Sequence, residues 1–379
     1  MQSEAHPDDL PGGLPPEARI SIHAIRGRGA ATFMPHRFMH DTRTAVDDGW
    51  DFPLEDAGQA VPPPTRVHLE TARSALCAND SPDIFFDHSV NPYRGCEHGC
   101  VYCYARPTHS YLNLSPGLDF ETQIIAKHNI AAVLRSELSR PGHVPRLLNI
   151  GSATDCYQPV ERELRLTRGV IEVLRDARHP FSLLTKSSGV ERDLDLLVPL
   201  AAQRLAAVYV TITTLDAQLA RRMEPRAAAP HRRLRTIQTL AEAGVPVGVS
   251  VAPQIPFITE DMEQVLEAAR DAGARSAFYT VLRLPWELDA LFREWLALHY
   301  PQRAARVQDL HNLDNAQRGA GKTYDSDYTT RMKGSGLWAD LLRQRFTGAC
   351  RRLGLNRERV ELDLDQFRPG LARGQGSLF

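Results

Sequence analysis

The sequence predicts an α/β fold: a parallel sheet assembled from six βα units, preceded by an irregular N-terminal extension and followed by a C-terminal helical segment. Three observations predict it. Short apolar runs bounded by polar or turn residues recur along the chain, and segments of roughly 10–15 residues with apolar positions at helical spacing fill the gaps. A chain of 379 residues with 42% hydrophobic content can bury a large core. Strands alternating with helices in this way argue a parallel sheet with right-handed crossovers.

Residues 1–65 are rich in Pro and Gly (Pro11-Gly12-Gly13, Pro62-Pro63-Pro64) and sustain no period, so they read as extended or disordered chain. Arg26-Gly27-Arg28-Gly29 within them reads as flexible linker, the alternative being a basic arm against nucleic acid. The main unit spans 66–300. It opens with a short helix at 68–75 and a strand at 84–90. Ser115-Pro116-Gly117 makes a turn, and a helix follows over 124–138, with Ile130, Val133, Leu134 and Leu138 on one face and Pro141-Gly142 as its stop. Further strands are predicted at 146–151, 181–185, 207–213, 245–251 and 276–282, and helices at 164–177, 193–203, 231–243, 259–272 and 285–298.

Beyond Tyr300 the pattern changes, and 301–379 reads as a cap and tail. Residues 311–336 are Gly-rich and polar, with the character of a lid, and helical spacing resumes over 337–353, placing Cys350 on an apolar face. Gly319-Ala320-Gly321-Lys322-Thr323 imitates the end of a phosphate-binding loop. The full motif needs glycine where Ala316 stands and a preceding apolar strand, so ATP binding is rejected.

Between the first two strands of the sheet, Asn91-Pro92-Tyr93-Arg94-Gly95-Cys96-Glu97-His98-Gly99-Cys100-Val101-Tyr102-Cys103-Tyr104 carries three of the six cysteines. Thiols this close make a poor disulfide framework, and metal is the better reading. Three thiolates fit a structural zinc completed by a fourth ligand such as His98, or a four-iron cluster with one iron left open. A zinc site of the usual kind needs a second Cys/His pair, and only lone Cys77, Cys156 and Cys350 remain; His98 reads as a solvated loop residue.

The C-x3-C-x-aromatic-C spacing, with Tyr102 before the last cysteine, resembles the signature of the radical S-adenosylmethionine (radical SAM) superfamily. The wider run from Ser89 through Ala105-Arg106-Pro107-Thr108-His109 to Phe120 resembles its DNA-repair-photolyase-like branch, grouped with spore photoproduct lyase. The resemblance implies an open, partial (β/α)6 barrel with the cap packed across it. Cys96, Cys100 and Cys103 would ligate a [4Fe-4S] cluster whose open iron binds S-adenosylmethionine, and the enzyme would generate a 5′-deoxyadenosyl radical. Tyr102 would support adenine. Function in such a barrel sits at the carboxyl ends of the strands. There Ser152, Lys186, Thr211 and Thr213 are the further cofactor-binding candidates, Lys186 meeting the cofactor carboxylate, with Ser250, Pro253 and Gln254 placed similarly. Spore photoproduct lyase returns hydrogen from a cysteine three residues before an aspartate. Here Ser152 holds that place before Asp155, and Cys156 is the nearest thiol, a catalytic candidate from a shifted position or a structural thiol.

Net charge is −1, so no global field demands a nucleic-acid or membrane partner. No apolar run is long enough to span a membrane, and the acidic start lacks the pattern of a signal peptide, so a cytoplasmic location is expected. A flavodoxin- or ferredoxin-type one-electron donor is implied as partner. A nucleic-acid substrate would use Arg221, Arg222, Arg226, Arg232, Arg233 and Arg235 for phosphate, the bland alternative being a solvated helix face. The non-enzymatic alternative is a zinc-stabilised nucleic-acid-binding module.

Overall fold

The computed structural model describes residues 23–39, 63–307, 327–358 and 360–369. Its strands in chain order are β1 (Arg66–Glu70), β2 (Leu76–Ala78), β3 (His88–Val90), β4 (Tyr93–Arg94), β5 (Gln123–Lys127), β6 (Leu148–Ile150), β7 (Phe181–Thr185), β8 (Ala206–Thr211), β9 (Val247–Gln254) and β10 (Ser276–Val281). Among the described residues they form two sheets. The larger has the order β10-β9-β8-β7-β6-β3-β2, with every neighbour parallel except the antiparallel β2. Its six parallel strands are the six predicted units, and β10 and β2 stand at opposite ends, so the sheet is an open arc.

The helices are α1 (Asp119–Thr122), α2 (Ile130–Leu138), α3 (Glu161–Leu164), α4 (Leu166–Asp176), α5 (Leu194–Ala202), α6 (Ala217–Met223), α7 (Pro230–Glu242), α8 (Met262–Asp271), α9 (Glu287–His299) and the C-terminal helix Leu337–Leu353. Strand faces divide by chemistry. Phe181 and Leu183 of β7, Ala206, Val208 and Val210 of β8, Val247, Val249 and Val251 of β9, and Ala277, Tyr279 and Val281 of β10 enter the aliphatic layer beneath the helices. The intervening residues face the lumen and are small or polar at Ser89, Asn149, Ser182, Ala207, Gly248, Ser250 and Ser276, and aromatic at Tyr209 and Phe278. This is the period-2 alternation of a sheet with two unlike environments.

Several expectations are corrected. Residues 66–70 pair with β5 in a small β1-β5-β4 sheet instead of opening a helix. The helix expected from 124 starts at Ile130, because the β-branched pair Ile124-Ile125 takes the middle of that small sheet; the predicted helical face is intact in α2. The strand expected over 84–90 is limited to His88–Val90, since Ile84 closes a turn onto Ser81. The C-terminal helix occupies its predicted bounds but does not lie across the mouth. Leu342, Ala349, Cys350 and Leu353 join the outer aliphatic layer, Phe346 packs on Tyr279 at 4.7 Å, and Arg345 pairs with Glu263 of α8 at 2.7 Å. It covers the outer face of β10, while α9 moves to the cysteine loop, its Leu288, Leu291, Phe292 and Trp295 packing with Val101 and Tyr102. The phosphate-loop imitation at 319–323 lies outside the described residues. Among the described residues, no helix is long and apolar enough to cross a membrane.

Candidate cluster and cofactor site

The cysteine loop leaves β4 at the carboxyl end of the sheet and is fixed from all sides. Gly95 and Gly99 take positive φ (79° and 67°), which turns the chain between the thiols at no Cβ cost. The Gly95 carbonyl accepts from Thr154 Oγ1 at 2.6 Å and from the Gln158 amide at 3.3 Å. Glu97 is buried, where it accepts from the Val160 amide at 2.7 Å and pairs with Arg226 at 3.1 Å. Beneath the loop, fully buried Arg106 donates to the Cys100 and Gly117 carbonyls at 2.8 Å each and pairs with Glu121.

Glu121 also corrects the reading of residues 26–29 as linker. Its carboxylate accepts from the amides of Gly29 at 3.0 Å and Ala30 at 2.9 Å, while Arg28 donates to the Glu121 carbonyl at 3.1 Å. This segment is a strap lying on the cysteine loop. A Cβ at Gly29 would stand 1.8 Å from the Gly99 carbonyl oxygen, so only glycine permits the approach. The strap is irregular, as expected of an aperiodic sequence, yet packed.

Cys96 and Cys100 are buried and Cys103 is half-buried. Burial pushes the Cys96 thiol well above its ordinary value, with Asp155, Cys100 and Cys103 adding to the rise. Burial likewise drives Cys100 up to about 12, against the opposing field of Lys186. A metal charge would relieve such thiolates of this penalty. His98 is not solvated: it is buried, with Nδ1 3.2 Å from Oδ2 of Asp155 in the loop after β6. Burial raises the Asp155 carboxyl, but His98, the Lys186 amide at 2.7 Å and Thr185 Oγ1 at 2.7 Å together hold it well below the usual carboxylate range.

Lys186 and Tyr102 are brought together, the ammonium lying 5.7 Å from the centroid of the ring. Burial disfavours the Lys186 charge, but Cys100 and Glu224 outweigh it and raise its pKa. The Tyr102 hydroxyl donates to Glu224, and Thr213 Oγ1 lies 3.1 Å from that hydroxyl and donates to Glu224 at 2.6 Å. Glu224 is paired with buried Arg233, which also donates to the Thr211 carbonyl at 3.0 Å. Burial raises the Glu224 carboxyl, yet Arg233 and Lys186 win and hold it at about 2. Thr211 is thus beside this network through its backbone.

Ser152 stands apart, its hydroxyl 3.1 Å from the Asn91 side chain and its carbonyl accepting from Tyr104. Cys156 is fully buried in the aliphatic core, its thiol directed at the Leu184 carbonyl at 3.8 Å. Of the six arginines proposed for phosphate, Arg226, Arg232 and Arg233 are tied to Glu97, Glu191 and Glu224, and Arg222 stacks on Tyr300 at 5.5 Å. Arg221 and Arg235 are exposed on helix faces. The array is mostly structural. Sequence reasoning missed Glu224, Asp155, Glu121 and the burial of His98; each acts through partners distant in sequence, and no local pattern marks them.

Thiol is the donor type that an iron–sulfur cluster takes, although among the described residues no three His, Cys, Asp or Glu side chains are gathered as a metal site. Three thiols share one loop, and His98 Nδ1 lies 3.2 Å from Asp155 Oδ2 beside them.

The sequence model of the Radical SAM superfamily matches residues 90–272, a span running from the end of β3 to the end of α8. An uncharacterised protein of Mycobacterium tuberculosis is 39% identical over 229 residues, 60% of this chain and 67% of its own length. One from Methanocaldococcus jannaschii is 27% identical over 213 residues, 56% of this chain and 76% of its own. Among solved structures, a spore photoproduct lyase variant with bound AdoMet and dinucleoside spore photoproduct aligns with a TM-score of 0.49 at 14% identity, covering 76% of this chain and 78% of that one. By its cysteine loop, its parallel sheet and these sequence matches, the chain belongs to the radical SAM superfamily.

Proposed function

We propose that the chain is an enzyme in which Cys96, Cys100 and Cys103 ligate a [4Fe-4S] cluster and the strand ends beside them hold S-adenosylmethionine. The observation that carries the reading is the pairing of a three-thiol loop with the Lys186 ammonium over Tyr102. When bound, cluster and cofactor supply one electron, a cleavable sulfonium bond and so a 5′-deoxyadenosyl radical that abstracts hydrogen. The protein's part is to hold and to exclude. Lys186 offers a cation for the cofactor carboxylate, Tyr102 an apolar ring for adenine, and Ser152, Thr211 and Thr213 polar edges around it. The Glu224–Arg233 pair fixes the Tyr102 hydroxyl from below, and the strap covers the loop against water.

A flavodoxin- or ferredoxin-type donor would supply the electron, since Cys77, Cys156 and Cys350 lie on β2, in the core and on the C-terminal helix. A reducing compartment such as the cytoplasm suits thiols that must stay free. Hydrogen return as in spore photoproduct lyase is not part of the proposal, because Ser152 is held by Asn91 and its O–H is a poor hydrogen donor to a carbon radical. A nucleic-acid substrate is retained only without the helical arginines, most of which are engaged in the fold.

The test is iron, sulfide and zinc content of anaerobically purified protein, with Cys96, Cys100 and Cys103 each changed to Ala. Near four irons per chain, lost in each variant, with 5′-deoxyadenosine released on adding dithionite and S-adenosylmethionine, is the expected result. Stoichiometric zinc in colourless protein would replace this reading with the zinc-stabilised module.

A further inference from the structure

A (β/α) barrel whose interior serves only stability is filled by bulky branched side chains. This lumen is not. At the amino-terminal ends of β6, β7, β8 and β10 it holds a cavity of ≈370 Å³, opposite the end that carries the cysteine loop. Ser182 and Thr185 are three residues apart on β7, which sets the cavity roughly 10 Å from the mouth. One wall is aromatic: Tyr209 and Phe278 meet edge to face at 5.5 Å, and Phe85, half-exposed, lies 6.0 Å and 6.4 Å from them. Gly248 leaves room for this wall, since a Cβ there would come within 2.6 Å of the Tyr209 ring and 2.4 Å of Ser276 Oγ. The rest is mixed: Ser182, Ser276, Asn356 and Glu358 are polar, while Leu147, Leu148, Val360 and Leu362 are aliphatic. Ser182 Oγ donates to Asn149 Oδ1 at 2.9 Å, and Ser276 Oγ is buried without a hydrogen-bond partner.

We propose that this floor cavity binds a small heteroaromatic ring of nucleobase type, laid against Phe85, Tyr209 and Phe278 and hydrogen-bonded at its edge by Ser182 and Ser276. The aromatic wall supplies stacking area, and the hydroxyls reward polar ring edges that an aliphatic ligand lacks. The site requires neither cluster nor S-adenosylmethionine, so it stands or falls separately from the proposed radical chemistry. A free base or nucleoside and a base at the end of a nucleic-acid strand share this chemistry.

The experiment is saturation-transfer NMR on the full chain with cytidine, thymidine and adenosine, cyclohexanol as aliphatic control, and short single-stranded oligonucleotides as a second arm. At least one nucleoside is expected to bind in preference to cyclohexanol. Ala207→Leu, which fills the cavity, should weaken it at least about tenfold, and Ser276→Ala about fivefold. Phe278→Ala removes wall without filling space and serves if Ala207→Leu fails to fold, melting temperature being the check. Oligonucleotide binding with the same sensitivity assigns the site to a strand; nucleoside binding alone assigns it to a free ligand. Absence of nucleoside binding at millimolar concentration, equal binding of cyclohexanol, or indifference to Ser276→Ala and Phe278→Ala would overturn the proposal.

Discussion

Glu224 and Arg233 form an ion pair that solvent does not reach, and Glu224 holds the hydroxyls of Tyr102 and Thr213 as well. A buried pair of this kind contributes little over an apolar replacement, but breaking it strands a charge. Glu224→Gln keeps the shape and removes the charge, leaving Arg233 uncompensated. The expected loss is roughly 3–5 kcal/mol in urea unfolding. Glu224→Gln/Arg233→Met should recover at least half of it, because the two changes share one interaction. A loss in the double variant equal to the sum of the Glu224→Gln and Arg233→Met losses would show that the pair is not coupled.

At the strap, Gly29→Ala forces a methyl into the Gly99 carbonyl. The strap must lift, and the amide contacts of Gly29 and Ala30 with Glu121 go with it. Faster hydrogen exchange is expected over 28–31 and 97–101, with exchange in β7 and β8 unchanged. Uniform acceleration would mean global destabilisation instead.

Cys156 packs as a core side chain, so Cys156→Ala should cost about 1–2 kcal/mol while iron content and 5′-deoxyadenosine release stay at the parent level. Retained cofactor cleavage with abolished product formation, once a substrate is in hand, would restore it as hydrogen donor.

His179 predicts an acid-sensitive step. Burial depresses its pKa to about 4, the Pro180 carbonyl opposing and His143 and His88 adding to the drop; both of those are lowered too, chiefly by burial. A folded-state pKa below the unfolded value makes the contribution complete above about 6.5 and lost as pH falls toward 4. It amounts to at most about 3 kcal/mol. Urea midpoints measured from pH 7 to 4 should fall less steeply for His179→Phe than for the parent, and parallel curves would count against the assignment.

How much of this was legible beforehand depends on range. Phe181-Ser182-Leu183-Leu184-Thr185 carries its strand locally, and its bounds match β7. The cysteine spacing is local as well. The sheet β1-β5-β4 was hidden because each strand is short and finds its partner at long range, and Ile124-Ile125 looked like the start of the helix that follows. Glu121 and Gly29 are 92 residues apart, and His98 becomes a partner of Asp155 only when the loop folds back on β6. Such pairings are written in tertiary geometry, which aperiodic sequence does not announce.

The alternation of aliphatic residues with small, polar or aromatic ones along β7, β8, β9 and β10 assigns two duties to opposite sides of the same strands. Folding free energy is drawn from the side beneath the helices, so exchanges at Ser182, Ala207 or Ser250 alter what the barrel can hold while leaving most of its stability in place. A scaffold divided in this way can change its preference for ligands through a few lumen substitutions over evolutionary time without first acquiring compensating mutations in its core.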